Sequence, residues 1–103
     1  MDDGRPLIDI AQALSDPLRL IVLRRLMDGP ASVSEVQALT GESQSKVSNH
    51  LAVLRERGLV RAIRKGRQMI YGLRDASVAQ LVEALIAVAG LQFSEVERLP
   101  GGV

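Results

Sequence analysis

The chain lacks several residue types on which particular functions depend. It has no cysteine and no tryptophan, and it has one histidine, one tyrosine and one phenylalanine. Without cysteine it can form no disulfide, thiolate metal site or thiol redox switch of its own. With a single histidine and no glycine-rich phosphate loop, it offers no set of nucleophile, base and orienting group, so we do not expect an enzyme.

Long hydrophobic runs are also missing. No stretch approaches the roughly 18 consecutive apolar residues of a membrane-spanning helix. The first six residues are polar and include two aspartates, unlike the start of a secretory signal peptide. We therefore expect a cytoplasmic protein that does not associate with membranes.

The residues that are present favour a small helical domain. Hydrophobic residues make up 47% of the 103 residues while aromatic residues make up 2%, so Leu, Val, Ile and Ala must form the core. This length is typical of one domain, which we place over residues 1–103 and expect to gain stability by association. Residues 1–6 and 92–103 are expected to fray as terminal tails.

Positive charge is concentrated in one segment, residues 43–67. This segment contains seven Lys and Arg residues against one Glu, a net charge of +6, whereas the rest of the chain has a net charge of −5. A nearly neutral protein that gathers its cations in this way has the electrostatic footprint of a phosphate-binding surface. Basic residues that served only to keep the surface soluble would be distributed along the chain and not concentrated in one segment.

A helix is predicted at the start of this segment, from about residue 44 to residue 57. Val47, Leu51 and Leu54 recur with helical spacing and form one apolar stripe. Ser43 precedes the helix as an N-cap, and a glycine follows it. The other face carries amide and hydroxyl groups, which can bond to base edges in the major groove. Its members are Gln44, Ser45, Ser48 and Asn49.

Two strands follow the helix and predict a basic hairpin. The runs LV..I and MIY have the β-branched and aromatic composition of strands. Residues 64–67, RKGR, separate them and are expected to form the turn. We call this hairpin the wing.

The preceding residues predict a helix-turn-helix. A short helix around residues 7–14 and a second beginning at Pro17 are followed by a third, which Ser32 and Glu35 start in the pattern of a capping box. A four-residue turn, 40–43, then joins the third helix to the one described above.

The last helix, beginning at Asp75, has more apolar residues than one side of a small domain can bury. We expect part of this surface, together with the first helix, to form a homodimer interface. The alternative is a helix buried wholly in its own chain. The expected interface residues are Leu7, Ile10, Ala11, Leu14, Val78, Leu81, Val82, Leu85, Ile86 and Ala89.

Three motifs together resemble the ArsR/SmtB family of winged-helix repressors. They are LSDPLRLIVLRRL at 14–26, SQSKVSNHLAVLRERGLV at 43–60 and RKGRQMIYGL at 64–73, in the order and spacing of the family. The resemblance covers residues 8–89. It implies a mainly α fold with a small β-hairpin, a winged helix-turn-helix of order α-α-α-α-β-β-α, and a homodimer that represses transcription until an inducer releases it.

The resemblance also implies roles for individual residues. Gln44, Ser45, Ser48 and Asn49 would contact bases of double-stranded operator DNA. Lys46 and the wing residues Arg64, Lys65 and Arg67 would contact phosphates or the minor groove. The alternative function is a winged-helix protein-interaction module, for which we would expect an apolar or acidic helix face and a neutral wing.

The metal sites of the family do not carry over to this sequence. Ser32 and Ser34 stand where the thiolate site has cysteines, and soft metals bind hydroxyls poorly. Of the last-helix site only Asp75 has a counterpart, because Ser77, Val88 and Leu91 replace the other ligands. We therefore expect no metal or cofactor at these sites. A regulatory partner protein or a non-thiol ligand is the favoured signal.

Two other metal-ligand candidates are weak. His50 lies on the predicted DNA-contacting helix, where the family usually has histidine, so we expect a structural or DNA-facing role for it. Asp2, Asp3 and Asp9 with the terminal amine form an acidic N-terminus that is ordinarily solvated, although a divalent cation there is a minor alternative.

Overall fold

The computed structural model describes residues 3–99, which contain six helices and three strands. In chain order they are α1 (Arg5–Ala13), α2 (Pro17–Leu26), β1 (Ala31–Ser32), α3 (Val33–Thr40), α4 (Gln44–Glu56), β2 (Val60–Lys65), β3 (Gln68–Leu73), α5 (Ala76–Ala89) and α6 (Phe93–Val96). The expected order, α-α-α-α-β-β-α, is confirmed, with β1 and α6 added to it.

Side-chain caps set the starts of α2 and α3. Asp16 accepts a hydrogen bond from the backbone N–H of Arg19 at 3.1 Å and begins α2. Ser32 and Glu35 form the predicted capping box at α3, with both reciprocal bonds at 3.1 Å. Each cap satisfies N–H groups that have no partner within the helix. Polar residues outside the apolar stripes therefore fix where the helices begin.

The core is aliphatic and joins every layer of the fold. Val22 and Leu23 of α2, Val36 of α3, and Leu51 and Leu54 of α4 are fully buried. Side chains from the sheet and from α5 complete the same cluster. The predicted stripe of α4 is thus its inner face, which leaves the polar face outside.

The sheet has three antiparallel strands in the order β1-β3-β2. The sequence did not indicate β1, in which Ala31 pairs with Tyr71 and Ser32 with Ile70. Two residues are too short to show the alternation that reveals a strand, and their partners lie far along the chain. Tertiary pairing alone makes this segment a strand.

The hairpin turn is shorter than expected. Residues 64–67 were predicted to form it, but Arg64 and Lys65 belong to β2, and Lys65 pairs with Gln68. The turn consists of Gly66 and Arg67, with Gly66 at φ 64°. A two-residue hairpin needs a positive φ at its first turn position, which glycine adopts without strain.

Residues 92–103 were expected to fray, but residues 93–96 form α6, and residues 100–103 lie outside the described residues. This helix packs against α2, and Val96 is buried. The guanidinium of Arg24 also lies over the Phe93 ring, and its Cζ is 4.8 Å from the ring centroid. At the other end α1 already begins at Arg5, inside the expected tail of residues 1–6. Long-range apolar contacts account for the order of α6.

Candidate nucleic-acid interface

The exposed face of α4 carries all four residues predicted to contact bases. Gln44, Ser45 and Asn49 are exposed and Ser48 is half-buried. Because Val47 and Leu51 are completely buried on the opposite side, the face of α4 that carries these four side chains is held toward solvent. Short amide and hydroxyl side chains on a firmly packed helix can approach base edges closely.

A tight turn sets the angle between α3 and α4. The turn comprises residues 41–43, one residue fewer than predicted, because Thr40 belongs to α3. Gly41 adopts φ 73°, and its N–H bonds to the carbonyl of Gln37 at 2.8 Å. Ser43 then caps α4 by accepting from the N–H of Lys46 at 3.2 Å. These contacts complete the helix-turn-helix.

The wing exposes its cations without neutralising them. Arg64, Lys65 and Arg67 are exposed. Within residues 3–99 none of the three forms an ion pair with a carboxylate. By contrast, Arg24 and Arg25 of α2 do form ion pairs. The wing cations therefore remain available for phosphates.

Lys46 differs from the other predicted phosphate contacts. Its ammonium nitrogen lies 3.3 Å from Oε2 of Glu42, one turn earlier. An ion pair whose lysine is half exposed contributes little to stability. Lys46 would have to leave Glu42, at least in part, to contact DNA.

His50 lies on α4, but its side chain contacts α2 and does not belong to the exposed polar face. Its side chain is largely buried, and Nδ1 lies 3.1 Å from Nη1 of Arg19 on α2. The sequence did not single out Arg19, because a contact between residues 31 positions apart leaves no periodic signal. This placement is consistent with the structural role expected for His50.

The residues predicted for the dimer interface fall into two groups. Val78, Val82 and Ile86, which were predicted for the dimer interface, are buried in the core of their own chain and do not face outward. Leu7 is 73% exposed and Leu85 is 40% exposed. The apolar stripe of α5 is wide because one side serves the core and the other side faces outward.

The other group gives α1 and α5 apolar side chains that are exposed or half-buried. Ala11 and Ala89 are exposed, and Ile10, Leu14 and Leu81 are half-buried. Val88, which was not assigned to the interface, is 88% exposed. A groove of about 450 Å³ runs between α1, α5 and α6 and is lined almost entirely by aliphatic side chains.

The positions of the family's metal sites hold other contacts. The Ser32 hydroxyl is occupied by the cap of α3, and the Ser77 hydroxyl donates to Asp75. Among residues 3–99 no three His, Cys, Asp or Glu side chains come together to hold a metal ion. Asp2, one of the acidic N-terminal candidates, lies outside the described residues. No helix within the described chain is long and apolar enough to cross a membrane.

Comparison with known proteins agrees with this geometry. The family described as "bacterial regulatory protein, arsR family" matches residues 16–62. The HTH-type transcriptional regulator NmtR of Mycobacterium tuberculosis is 45% identical over 73% of this chain, and the match spans 62% of that protein's length.

Two solved structures share the fold. The transcriptional repressor BigR from Xylella fastidiosa aligns with a TM-score of 0.74 and 36% identity over 82% of this chain and 87% of its own. The homodimeric winged helix-turn-helix DNA-binding domain of Mb0332 from Mycobacterium bovis aligns with a TM-score of 0.80 and 27% identity, over 87% and 88% of the two chains. The chain described here belongs to the ArsR family of bacterial regulatory proteins and has their winged helix-turn-helix fold.

Proposed function

We propose that the protein is a transcriptional repressor, not an enzyme, that acts in the cytoplasm as a homodimer on a pseudo-palindromic operator. The observation that carries this proposal is the positive charge of the wing, which is exposed and unpaired within residues 3–99, together with the exposed amide and hydroxyl face of α4. Gln44, Ser45, Ser48 and Asn49 would contact base edges. Lys46, Arg64, Lys65 and Arg67 would contact phosphates or the minor groove.

The homodimer is supported by the exposed apolar surface of α1 and α5. Exposed aliphatic side chains cost solvation free energy, which association removes. A two-fold dimer would present two copies of α4 about 34 Å apart, the distance between successive major grooves on one side of B-DNA. BigR and Mb0332, which share this fold, are described as a repressor and as a homodimeric DNA-binding domain.

We infer that the signal does not enter through the metal sites usual in the family. The chain has no thiolate ligand and one histidine, and that histidine is engaged by Arg19. A regulatory partner protein or a non-thiol ligand bound near the last helices is the proposed source of control. A small apolar ligand could enter the groove beside α5, which has the volume of typical ligand sites.

The test is fluorescence-anisotropy binding to a duplex from the promoter upstream of the protein's own gene, with a shuffled duplex of equal length as the control. Each is measured at two salt concentrations, with and without a panel of divalent metals. Tight binding to the promoter alone, weakened steeply by salt, is the expected result. Equal affinity for both duplexes would contradict specific recognition, and absence of binding would favour a protein-interaction module. An effect of one metal would overturn the inference about the signal.

A further inference from the structure

One arginine connects three elements of the fold. Arg19 lies on α2, and its guanidinium donates from Nε to the carbonyl of Ala13 at 2.7 Å and from Nη2 to the carbonyl of Gln12 at 3.3 Å. From Nη1 it reaches Nδ1 of His50 on α4 at 3.1 Å. The same side chain therefore holds the end of α1 and the middle of the DNA-contacting helix.

The chemistry of this bridge fixes the state of the histidine. A guanidinium can only donate hydrogen bonds, so Nδ1 of His50 must be the acceptor and the ring proton must reside on Nε2. At the other end, the carboxyl end of α1 carries the negative end of its helix dipole, where a cation is favourable. The bridge thus requires a neutral imidazole.

Protonation of His50 would break the bridge. An imidazolium has no lone pair on Nδ1, and its charge would then stand 3.1 Å from a guanidinium nitrogen. Asp16, whose Oδ1 lies 3.9 Å from Nδ1, is the carboxylate placed to receive the charged ring. The charged groups that face the ring are therefore Arg19 and Asp16. On its own helix, Lys46 lies one turn earlier and is paired with Glu42.

We propose that Arg19 is a positioning residue for DNA binding, which couples the dimer helix α1 to α4 through the neutral ring of His50. The proposal rests on the proposed function, in which α1 joins the two protomers and α4 contacts the bases. Because the separation of the two α4 helices in a dimer depends on their placement relative to α1, loss of the bridge would misalign the two half-site contacts. Operator affinity should then fall as His50 becomes protonated.

The first test does not involve DNA. His50 is the only histidine in the chain, so a long-range ¹H–¹⁵N correlation spectrum shows one imidazole. At pH 7.5 we expect the proton on Nε2 alone. In Arg19→Ala we expect a mixture of the two neutral tautomers. A proton on Nδ1 in the unaltered protein would overturn the bridge, whether or not the protein binds DNA.

The second test compares operator affinities from pH 8 to pH 5.5 at fixed salt. Arg19→Ala should weaken operator binding about tenfold or more at pH 7.5, and Arg19→Lys should restore only part of it because one ammonium cannot span three acceptors. Arg98→Ala removes an equal charge from the C-terminal end of the described chain and should have little effect. Binding to the shuffled duplex should change little in all three variants.

The decisive variant is His50→Asn, which can present an amide oxygen near the position of Nδ1 but does not titrate. It should keep operator affinity at pH 7.5 and show no decline at pH 5.5, whereas the unaltered protein declines. A decline equal to that of the unaltered protein would overturn the proposal, and so would unchanged operator affinity in Arg19→Ala. If the unaltered protein does not prefer its operator to the shuffled duplex, that result counts against the proposed function. The ¹H–¹⁵N spectrum then tests the hydrogen bond between Arg19 and His50 on its own. Far-UV circular dichroism checks that each variant is folded.

Discussion

Helices α4 and α5 bury the same kind of surface but expose opposite kinds. On α4 the buried stripe is Val47, Leu51 and Leu54, and on α5 it is Val78, Val82 and Ile86. The exposed side of α4 bears amides, hydroxyls and cations. The exposed side of α5 bears mostly alanine, leucine and valine in its second half, with Val88 88% exposed, although Gln80 and Glu83 are also exposed.

The difference separates what the fold needs from what the function needs. Either helix would pack equally well with any solvated outer face, so the buried stripes do not explain the outer residues. Polar groups without partners in the fold match a polar partner, and an aliphatic surface matches an aliphatic partner. One helix is therefore suited to DNA and the other to a second copy of the chain.

The largest effect is expected in the buried aliphatic stripe, which both helices have. Leu51→Ala removes a fully buried side chain and should lower the free energy of unfolding by about 2 to 5 kcal/mol, through reduced burial and the cavity left behind. Urea denaturation measures the change. Arg55→Ala, on the exposed side of the same helix, should stay within about 0.5 kcal/mol. Similar losses in the two variants would show that α4 does not pack as described.

The next largest effect is expected from a charge placed on the exposed apolar side of α5. Val88→Glu places a charge in the proposed dimer surface, where it would be buried without a partner. We expect a monomer by sedimentation, with unchanged helix content, and operator affinity reduced at least about tenfold, or about 1.4 kcal/mol. Gln80→Glu adds the same charge outside the predicted interface and should remain a dimer. If Val88→Glu stays dimeric, the protomers meet elsewhere.

On α4 the corresponding substitutions should change specificity and leave association intact. Asn49→Ala or Gln44→Ala should cost about 1 to 3 kcal/mol for the operator, the range for removing one bidentate bond to a base. Affinity for a shuffled duplex should hardly change, because every bond to the phosphates is kept. Anisotropy titrations with both duplexes measure the ratio. A uniform decrease on both would assign these side chains to the DNA backbone instead.

The wing should behave in the opposite way. Lys65→Ala or Arg67→Ala should weaken binding to both duplexes alike. Each should also reduce the slope of log affinity against log salt by about 1, because one fewer phosphate is neutralised. Arg98→Ala is the matched control, since it removes one charge outside the wing. Unchanged affinity at every salt concentration would remove these two residues from the interface.

Local signals in the sequence predicted the parts of the fold that short-range physics determines. The stripe of α4 and the caps at Ser32 and Ser43 all depend on residues a few positions apart, and each lies where the pattern placed it. The segregated charge of residues 43–67 likewise predicted a cationic wing. These features required no knowledge of the tertiary structure.

The features that the sequence did not predict depend on distant contacts. Strand β1 exists because Ala31 pairs with Tyr71, and α6 because Val96 is buried against the rest of the chain. The bridge from Arg19 to His50 is of the same kind. The division of the α5 stripe between core and outer surface also could not be seen, since helical spacing shows which residues share a face but not what covers that face.

The smallest effect is expected at the N-caps of the two helices, whose contributions to stability should depend differently on pH. Ser43 caps α4 with a neutral hydroxyl, whereas Asp75 caps α5 with a carboxylate whose pKa is lowered by the Ser77 hydroxyl, by Arg74 and by the Ser77 N–H. A lowered folded-state pKa means that the charge stabilises the fold above the unfolded pKa of about 3.9 and that this stability is lost as the pH falls through the folded value. Asp75→Asn keeps the cap but not the charge, so its deficit in urea stability at pH 7 should shrink as the pH falls below the unfolded pKa of about 3.9. The deficit of Ser43→Ala should not change with pH, and a constant deficit for Asp75→Asn would show that its charge does not stabilise α5.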